Sequence, residues 1–281
     1  MKVIYTERTQ ILASRIAGIL GVPLGEVKRS RFPDGELYLR APDLDSDMVI
    51  ISSLVDPESF IELLLLLDTC QGKKITLVIP YMGYARQDRQ FSEGEPISIR
   101  AIASALGRGV FRVLTVNIHE PSVLKYFGVP AENLTIAGAV GEYIAGQSIN
   151  QPIILAPDAG ARTFAEDVAA AHGWDCDHLE KTRISGEEVI IKPKKIDVFG
   201  RNVVIVDDII STGGTLSTAA MMLADQGALD IRAACVHGIF SGGGYARLIR
   251  AGFSEIASSD TIECGSSMIS SAPAIAGALM R

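Results

Sequence analysis

Apolar and polar residues alternate along the first half of the chain in blocks that predict strands and helices in turn. Residues 9–20 place their apolar side chains on one helical face, and Gly21 and Pro23 end this pattern. The run 57–71 repeats the helical spacing. The other predicted elements are a helix at 97–106 and short apolar strands at 3–5, 48–52, 75–79 and 113–118.

The second half of the chain continues the alternation. Helices are predicted at 161–172 and 215–226, and strands at 153–156, 189–191, 203–206 and 231–236. Valine and isoleucine runs such as 203–206 favour parallel strands that are covered on both faces. Glycine and alanine cluster at 137–146, between the two series, so the pattern predicts two α/β domains that meet near this segment.

Composition narrows the classes of protein to which the chain can belong. Its 281 residues carry a net charge of −7, whereas nucleic-acid binders are usually basic, so we expect no nucleic-acid partner. A hydrophobic content of 48% with 21% charged residues excludes bulk disorder. The longest apolar stretch, 60–67, is interrupted by Glu62 and is far shorter than the about 20 residues that cross a bilayer, so we expect no membrane span.

The cysteines and the N-terminus bear on the cellular compartment. Four cysteines are scattered without a Cys-x-x-Cys pair, so neither a zinc site nor a disulfide framework is expected. The N-terminal residues show no apolar signal segment. Together these features predict a cytoplasmic protein.

The segment 202–216 carries the most specific chemistry in the sequence. An apolar strand runs into Asp207 and Asp208, and a helix follows the turn formed by Ser211, Thr212, Gly213, Gly214 and Thr215. Glycines permit close approach of the backbone to a ligand, and loop amides beside a helix N-terminus bind phosphate. Paired carboxylates can accept hydrogen bonds from sugar hydroxyls or bind a hydrated metal ion. The alternative is a capped helix after a glycine-rich turn, with solvated acids.

This segment closely resembles the motif with which type I phosphoribosyltransferases and ribose-phosphate pyrophosphokinases bind 5-phosphoribosyl 1-diphosphate (PRPP). Further stretches stand in the order found in the pyrophosphokinases: Phe-Pro-Asp-Gly-Glu at 32–36, Pro-Tyr-Met-Gly-Tyr-Ala-Arg-Gln-Asp at 80–88, Asn-Ile-His at 117–119, Pro-Asp-Ala-Gly at 157–160 and Lys-Thr-Arg at 181–183. The resemblance covers essentially the whole chain. The chain length and the Ser-Thr-Gly-Gly-Thr loop look most like archaeal members.

The resemblance implies a fold of two type I phosphoribosyltransferase-like α/β domains, each a mainly parallel sheet flanked by helices. Residues 1–137, joined by a C-terminal stretch at about 266–281, would form the ATP-side and oligomerisation domain, with a final helix at 272–279 packing back on it. Residues 138–265 would bind ribose 5-phosphate and PRPP. The implied enzyme is a ribose-phosphate diphosphokinase of nucleotide biosynthesis. It transfers the β,γ-diphosphoryl group of Mg-ATP to the anomeric hydroxyl of ribose 5-phosphate and gives PRPP and AMP.

Two segments of the first half are assigned to ATP. By its chemistry, Arg86 offers a planar fork for a phosphate, Gln87 can pair with a purine edge, and Phe32 can stack on adenine. Each segment also has a plainer interpretation, a polar surface loop at 80–88 and a simple turn at 32–36. The resemblance places ATP at both segments, and the residues implied are Phe32, Asp34, Glu36, Arg86, Gln87 and Asp88.

Two further residues are assigned to Mg²⁺. His119 follows a predicted strand, and Asp158 precedes a predicted helix at the sheet edge where α/β proteins bind ligands. Taken alone, His119 is more simply a structural histidine and Asp158 a helix N-cap. The resemblance implies that both bind Mg²⁺, directly or through water, and that His119 lies near the ATP phosphates. Many relatives have Asp where this chain has Asn117, which leaves one negative charge less beside His119.

Two cations of the second half are candidates for catalysis. Lys181 and Arg183 occupy alternate positions in an exposed charged segment that, without the resemblance, predicts a polar hairpin. This segment resembles the mobile catalytic loop of the family. The resemblance implies that Lys181 and Arg183 neutralise charge on the transferring group, and that His119 is catalytic with them. For the sugar, it places the hydroxyls at Asp207 and Asp208 and the 5-phosphate at the turn that follows.

The resemblance also implies a homo-oligomer, a dimer or higher, because the turn at 32–36 reaches the ATP site of a neighbouring subunit in that family. Two other functions stay open. A phosphoribosyltransferase that uses PRPP would share the motif at 207–215 but would not explain 81–88. A non-catalytic regulatory relative would be expected to have lost cations from the loop that carries Lys181 and Arg183.

Overall fold

The computed structural model describes residues 1–183, 189–193 and 197–281, and the side chains of all of these except 181–183 and 189–193. The chain forms two compact units. The first comprises Met1–Thr135, Asp260–Glu263 and Ser270–Arg281, and the second comprises Ile136–Ser259 and Cys264–Ile269.

The first unit is built on a parallel five-stranded sheet. Its elements begin, in chain order, with β1 (Lys2–Tyr5), α1 (Gln10–Leu20), β2 (Lys28–Arg31), β3 (Leu37–Arg40), β4 (Asp47–Ile51), α2 (Pro57–Thr69), β5 (Lys74–Ile79), α3 (Ser98–Leu106), β6 (Arg112–Val116) and β7 (Ala131–Leu134). The strands of the sheet lie in the order β1-β4-β5-β6-β7, each parallel to its neighbours. Strands β2 and β3 form a separate antiparallel hairpin.

The elements predicted for this unit are confirmed to within two residues at each end. Helix α2 shows why the ends were readable, since Pro57 stands in its first turn and Asp56 precedes it. The Asp56 carboxylate accepts the Ser59 N–H at 2.7 Å, and the Ser59 hydroxyl accepts the Asp56 N–H at 3.2 Å. Helix α1 ends at Leu20, because the following Gly21 takes a left-handed conformation at φ +64°.

The second unit is built on a seven-stranded sheet. Its elements are α4 (Ala137–Ala145), β8 (Ile153–Ala156), α5 (Arg162–Ala170), β9 (Cys176–Arg183), β10 (Val189–Pro193), β11 (Asn202–Ile210), α6 (Gly214–Asp225), β12 (Asp230–Gly238), α7 (Gly244–Arg250), β13 (Glu255–Ser259) and β14 (Ser267–Ile269). The strand order is β10-β9-β8-β11-β12-β13-β14. All neighbouring strands are parallel except β9 and β10, which form an antiparallel hairpin.

Three features of the second unit differ from the pattern-based expectation. The glycine- and alanine-rich segment, for which no element was predicted, forms helix α4, which buries Val140 and Ile144 on one side. Strand β11 runs on through the two acids, because β12 pairs with it as far as Ile210. Residues 266–269 belong to this unit, rather than to the first, because β14 pairs with β13, whereas Asp260–Glu263 belong to the first unit.

The final helix α8 (Ala272–Leu279) belongs to the first unit and packs against α1, as the resemblance implied. Buried Asp260 fixes its start by accepting the Ser271 N–H at 2.7 Å. The same carboxylate accepts a hydrogen bond from the Arg15 guanidinium of α1 at 2.7 Å. None of the helices in the described ranges is both long and apolar enough to span a membrane.

Candidate functional site

A pocket of about 190 Å³ lies at the carboxyl end of β11 in the second unit. Strands β8 and β11 are parallel neighbours, so the residues that follow them reach the same edge of the sheet. The predicted site residues that line the pocket are Asp158, Asp207, Ser211, Thr212, Gly213, Gly214 and Thr215. Asp208 is next to Asp207 on β11 and does not line the pocket.

The turn between β11 and α6 has the backbone of an anion site. Gly213 is in the left-handed region at φ +71°, where only glycine is free of strain, and it is the N-cap of α6. As a glycine, Gly213 has no side chain with which to cap this helix start. The first N–H groups of a helix have no intrahelical partner, so those of α6 are available to a phosphate oxygen.

The paired acids carry an unusual charge balance. Burial, repulsion by Asp208 and a side-chain hydrogen bond with Asp208 raise the pKa of Asp207 well above 3.8, and Asp158 adds to this rise. The Asp207 carboxylate also accepts the Asp208 N–H at 2.9 Å, and this hydrogen bond opposes the rise in pKa. A ligand that donates hydrogen bonds or brings positive charge to Asp207 would relieve this repulsion.

Asp158 is not the N-cap of α5, which is Ala161, but its carboxylate holds the turn before that helix. One of its carboxylate oxygens accepts the N–H groups of Gly160 at 2.8 Å and Ala161 at 3.2 Å, just before α5 begins. The side chain is nevertheless exposed and lines the pocket. Its carboxylate therefore serves both the turn before α5 and the pocket, where its charge raises the pKa of Asp207.

A second turn, after β12, supports the turn between β11 and α6, and the sequence patterns missed it. The hydroxyl oxygens of Ser211 and Ser241 lie 3.1 Å apart. Gly244 approaches so closely that a Cβ there would lie 2.5 Å from the Ser211 carbonyl oxygen. The signal in the sequence was the Ser-Gly-Gly-Gly run at 241–244, shortly after the buried strand β12 ends at Gly238.

In the first unit, the turn of the β2–β3 hairpin exposes the predicted ATP residues Phe32, Asp34 and Glu36. The Phe32 N–H donates to the Glu36 carbonyl oxygen at 2.9 Å, and the Glu36 N–H donates to the Asp34 carboxylate at 3.3 Å. The Phe32 ring is 50% exposed and meets Tyr38 edge-on at 5.7 Å. These three side chains are therefore accessible from the solvent.

Salt bridges to α2 anchor the same hairpin. Arg29 donates to the buried carboxylate of Glu62 at 2.5 Å. It also donates to the carbonyl oxygen of Val27 at 2.9 Å and to that of Tyr5. Nearer the turn, Arg31 pairs with Glu58 in an exposed ion pair. Since the hairpin strands expose most of their residues, these contacts, rather than a core of its own, hold it in place.

The other predicted ATP segment follows β5. Gly83 lets the loop pass close to the chain after β4, where a Cβ would lie 2.2 Å from the Leu54 carbonyl oxygen. Arg86 is exposed, and Gln87 and Asp88 are half-buried. The Gln87 side-chain oxygen accepts a hydrogen bond from Ser98, so its amide NH₂ group remains to donate to a ligand.

His119 is exposed and follows β6, so it reaches the same edge of the first sheet as the loop with Arg86. The turn before it is fixed by Asn133, whose side-chain oxygen accepts the Ile118 N–H at 2.9 Å. Asn117 has φ +39°, a conformation that asparagine tolerates better than most residues. Because residue 117 is an asparagine and not an aspartate, this turn carries one negative charge less.

Lys181 and Arg183 lie in β9, opposite Ile191 and Val189 of β10. The hairpin predicted by the charge pattern is therefore present. Their side chains, and residues 184–188 between the strands, lie outside the described residues. The catalytic role assigned to the two cations stays a prediction.

Comparisons with known proteins cover the whole chain. Residues 1–108 match the family described as the N-terminal domain of ribose phosphate pyrophosphokinase, and residues 129–264 match the phosphoribosyl transferase domain. A ribose-phosphate pyrophosphokinase of Methanosarcina acetivorans is 49% identical over 284 residues, with all of both chains covered. One of Methanopyrus kandleri is 42% identical, with 99% of this chain and 98% of that one covered.

A solved structure agrees with these relatives. The phosphoribosylpyrophosphate synthetase of Mycobacterium smegmatis superposes with a TM-score of 0.83 at 26% identity. The match covers 99% of this chain and 97% of that one. Both units, and not the second alone, therefore have counterparts in one known fold.

Proposed function

Because the chain belongs to the ribose-phosphate pyrophosphokinase family, we propose that it is a ribose-phosphate diphosphokinase that transfers the β,γ-diphosphoryl group of ATP to ribose 5-phosphate. The products are PRPP and AMP. The observation that carries this proposal is the pocket at the end of β11, where Asp207 and the glycine turn lie together. A sugar phosphate needs acceptors for its hydroxyls and donors for its phosphate, and this pocket offers both kinds.

The sugar site divides the ligand between two elements. Asp207 and Asp208 accept hydrogen bonds from the ribose hydroxyls. The amides of residues 211–215 bind the 5-phosphate at the start of α6. The left-handed Gly213 and the uncapped helix start support this assignment.

The ATP site uses side chains of the first unit. Arg86 binds the triphosphate, Gln87 donates its amide to the purine, and Asp88 completes this ATP-binding loop. Phe32 stacks on adenine, with Asp34 and Glu36 beside it. The exposure of Phe32 and Arg86 and the free donor side of Gln87 support these roles.

The reaction is a substitution at phosphorus. The anomeric hydroxyl oxygen of ribose 5-phosphate forms a bond to the β-phosphorus of ATP and loses its proton. The bond from the β-phosphorus to the oxygen shared with the α-phosphorus breaks, and that oxygen leaves on AMP. In-line positioning and charge neutralisation govern such transfers, and Lys181 and Arg183 supply the positive charge, with His119 near the phosphates.

The donors at the site fit Mg²⁺. This ion prefers oxygen ligands, keeps several waters and is held by one or two carboxylates together with substrate phosphates. Asp158 offers an exposed carboxylate, and His119 would bind the ion directly or through water. In the described ranges, no group of three His, Cys, Asp or Glu side chains could hold a metal ion. The ion would neutralise charge on the phosphates of ATP.

The two alternatives are less well supported. A phosphoribosyltransferase does not need the pyrophosphokinase N-terminal domain that residues 1–108 match. A regulatory relative is disfavoured because Lys181, Arg183 and His119 are all present. We also propose a cytoplasmic location, since the reaction draws on the ATP pool.

The test is product analysis. The protein with Mg²⁺ and ATP should form AMP only when ribose 5-phosphate is added, with one PRPP for each AMP. PRPP with free purine or pyrimidine bases should give no nucleotide. Nucleotide formation from PRPP and a base, or AMP formation that ignores ribose 5-phosphate, would reject the proposal.

We further propose a homo-oligomer, a dimer or higher, in which the turn at 32–36 completes the ATP site of a neighbouring subunit. The exposed Phe32, Asp34 and Glu36 support this arrangement. Mixing inactive Phe32→Ala and Arg86→Ala chains should restore activity, because one hybrid site then has both parts intact. Verified mixed oligomers without activity would contradict it.

A further inference from the structure

Helix α7 contacts the phosphate-binding turn at three consecutive residues. Its first residue, Gly244, lies against the Ser211 carbonyl oxygen. Arg247 donates a hydrogen bond to the Thr212 carbonyl oxygen. Leu248, fully buried, lies where a Cβ on Gly213 would come within 3.1 Å of it. The whole turn 211–213 therefore rests on one helix that no sequence motif assigned to the site.

Arg247 is the polar member of this contact. Its guanidinium also lies 3.5 Å from the Gly242 carbonyl oxygen, so it joins the turn after β11 to the turn after β12. The described residues that line the pocket do not include Arg247. Its effect on a ligand must therefore pass through the backbone that it holds.

The geometry of the peptide bond gives that effect a direction. In a trans peptide, the carbonyl oxygen and the following N–H point in opposite directions, and the described chain has no cis peptide bonds. The hydrogen bond from Arg247 to the Thr212 carbonyl therefore also fixes the N–H of Gly213. Without this bond, the flexible Gly213 leaves the peptide free to rotate.

We propose that Arg247 is a positioning residue that orients the Thr212–Gly213 peptide so that the turn binds the 5-phosphate of ribose 5-phosphate. This inference rests on the proposed function of the pocket. Gly213 is at φ +71°, and a glycine can readily adopt other backbone conformations. A hydrogen bond from a charged donor is stronger than one between neutral groups, so Arg247 is suited to hold this peptide in place.

The experiment compares Arg247→Ala with Arg250→Ala, a control that removes an exposed arginine from the same helix. Losing one charge-assisted hydrogen bond should weaken ribose 5-phosphate binding about tenfold in calorimetry and raise its KM by the same factor. The KM for ATP should stay as in the wild type. Arg247→Lys should fall between, because an ammonium lacks the planar fork. Arg250→Ala should behave as the wild type.

Two results would overturn the inference. One is a ribose 5-phosphate affinity of Arg247→Ala equal to that of Arg250→Ala; should Arg247→Ala not fold, wild-type affinity in Arg247→Lys overturns it instead. The other is a loss that vanishes between about 0.05 and 0.5 M salt, because a direct charge contact is screened and a positioning effect is not. A wild type that binds ribose 5-phosphate but forms no AMP would reject the proposed function only, since calorimetry tests Arg247 without turnover.

Discussion

Gly213→Ala tests whether the turn after β11 needs its exact backbone to bind phosphate. Gly200 provides a matched control, because it has φ +70° against φ +71° at Gly213 and lies in the same unit. A left-handed alanine costs roughly 1–2 kcal/mol, so both substitutions should lower the free energy of unfolding by about that amount. The two positions differ in what the new methyl group meets.

At Gly200 the methyl group has no heavy atom within 4 Å. At Gly213 it lies 3.1 Å and 3.2 Å from two carbon atoms of Leu248, and 3.3 Å from the Gly244 carbonyl oxygen, all closer than an ordinary contact of 3.4 Å. Leu248 belongs to the buried core and the oxygen belongs to the backbone of α7, so neither moves easily. The turn itself must shift by a few tenths of an ångström.

Such a shift weakens at least one N–H bond to the phosphate. A hydrogen bond to a charged group contributes about 1.5–3 kcal/mol, so the KM for ribose 5-phosphate should rise about 10- to 100-fold in Gly213→Ala. The assay is steady-state AMP formation with saturating ATP, together with urea unfolding of both variants. Equal KM values in Gly213→Ala and Gly200→Ala, at equal loss of stability, would refute this account of the turn.

Three further predictions concern other parts of the molecule. Lys181→Ala should lower kcat by about 10²-fold with small changes in either KM, because the cation acts on charge that develops in the transition state; wild-type kcat at saturation would contradict this. Glu62→Gln should lower the free energy of unfolding by about 3 kcal/mol, because it leaves the largely buried Arg29 without its anion. Glu58→Gln, in the exposed pair with Arg31, should lower it by less than about 1 kcal/mol. Urea unfolding measures both, and equal losses would contradict the role of burial. Asp207→Asn should raise the free energy of unfolding near pH 7, and this gain should shrink toward pH 4. The reason is that a carboxyl with a raised pKa stabilises the native state most when it is protonated, and this stability is lost as the pH rises. A gain in urea unfolding that does not depend on pH would contradict this prediction.

Local patterns predicted the buried strands and helices well, because the residues that these elements pack into the core are apolar. The β2–β3 hairpin was missed, since its strands read Lys-Arg-Ser-Arg and Leu-Tyr-Leu-Arg and its place depends on contacts such as Arg29 with Glu62. Helix α4 was missed for the opposite reason. Glycine and alanine are typical of a linker, and only the burial of Val140 and Ile144 shows that the segment is a packed helix.

The candidate site could be predicted where one segment carries several of its groups. Asp207 and the turn at 211–215 are adjacent in sequence, and their chemistry was readable from it. The length of β11 could not be predicted, because two adjacent acids usually indicate the end of a buried strand. In the structure, Asp207 still pairs with buried Cys235 of β12. Arg247 was also missed. Its role depends on one contact with the Thr212 carbonyl, across 35 residues of chain, and no motif records such a contact.

Calorimetric titration of Asp207→Asn/Asp208→Asn with ribose 5-phosphate tests most directly whether this pocket is the sugar site of a diphosphokinase. An amide matches a carboxylate poorly as an acceptor for sugar hydroxyls, so the folded double variant should bind ribose 5-phosphate and PRPP at least tenfold more weakly (about 1.4 kcal/mol) while it binds ATP as the wild type does. Asp225→Asn, an exposed acid at the end of α6, serves as the control and should change neither affinity. Wild-type affinity of the folded double variant for ribose 5-phosphate would contradict the assignment.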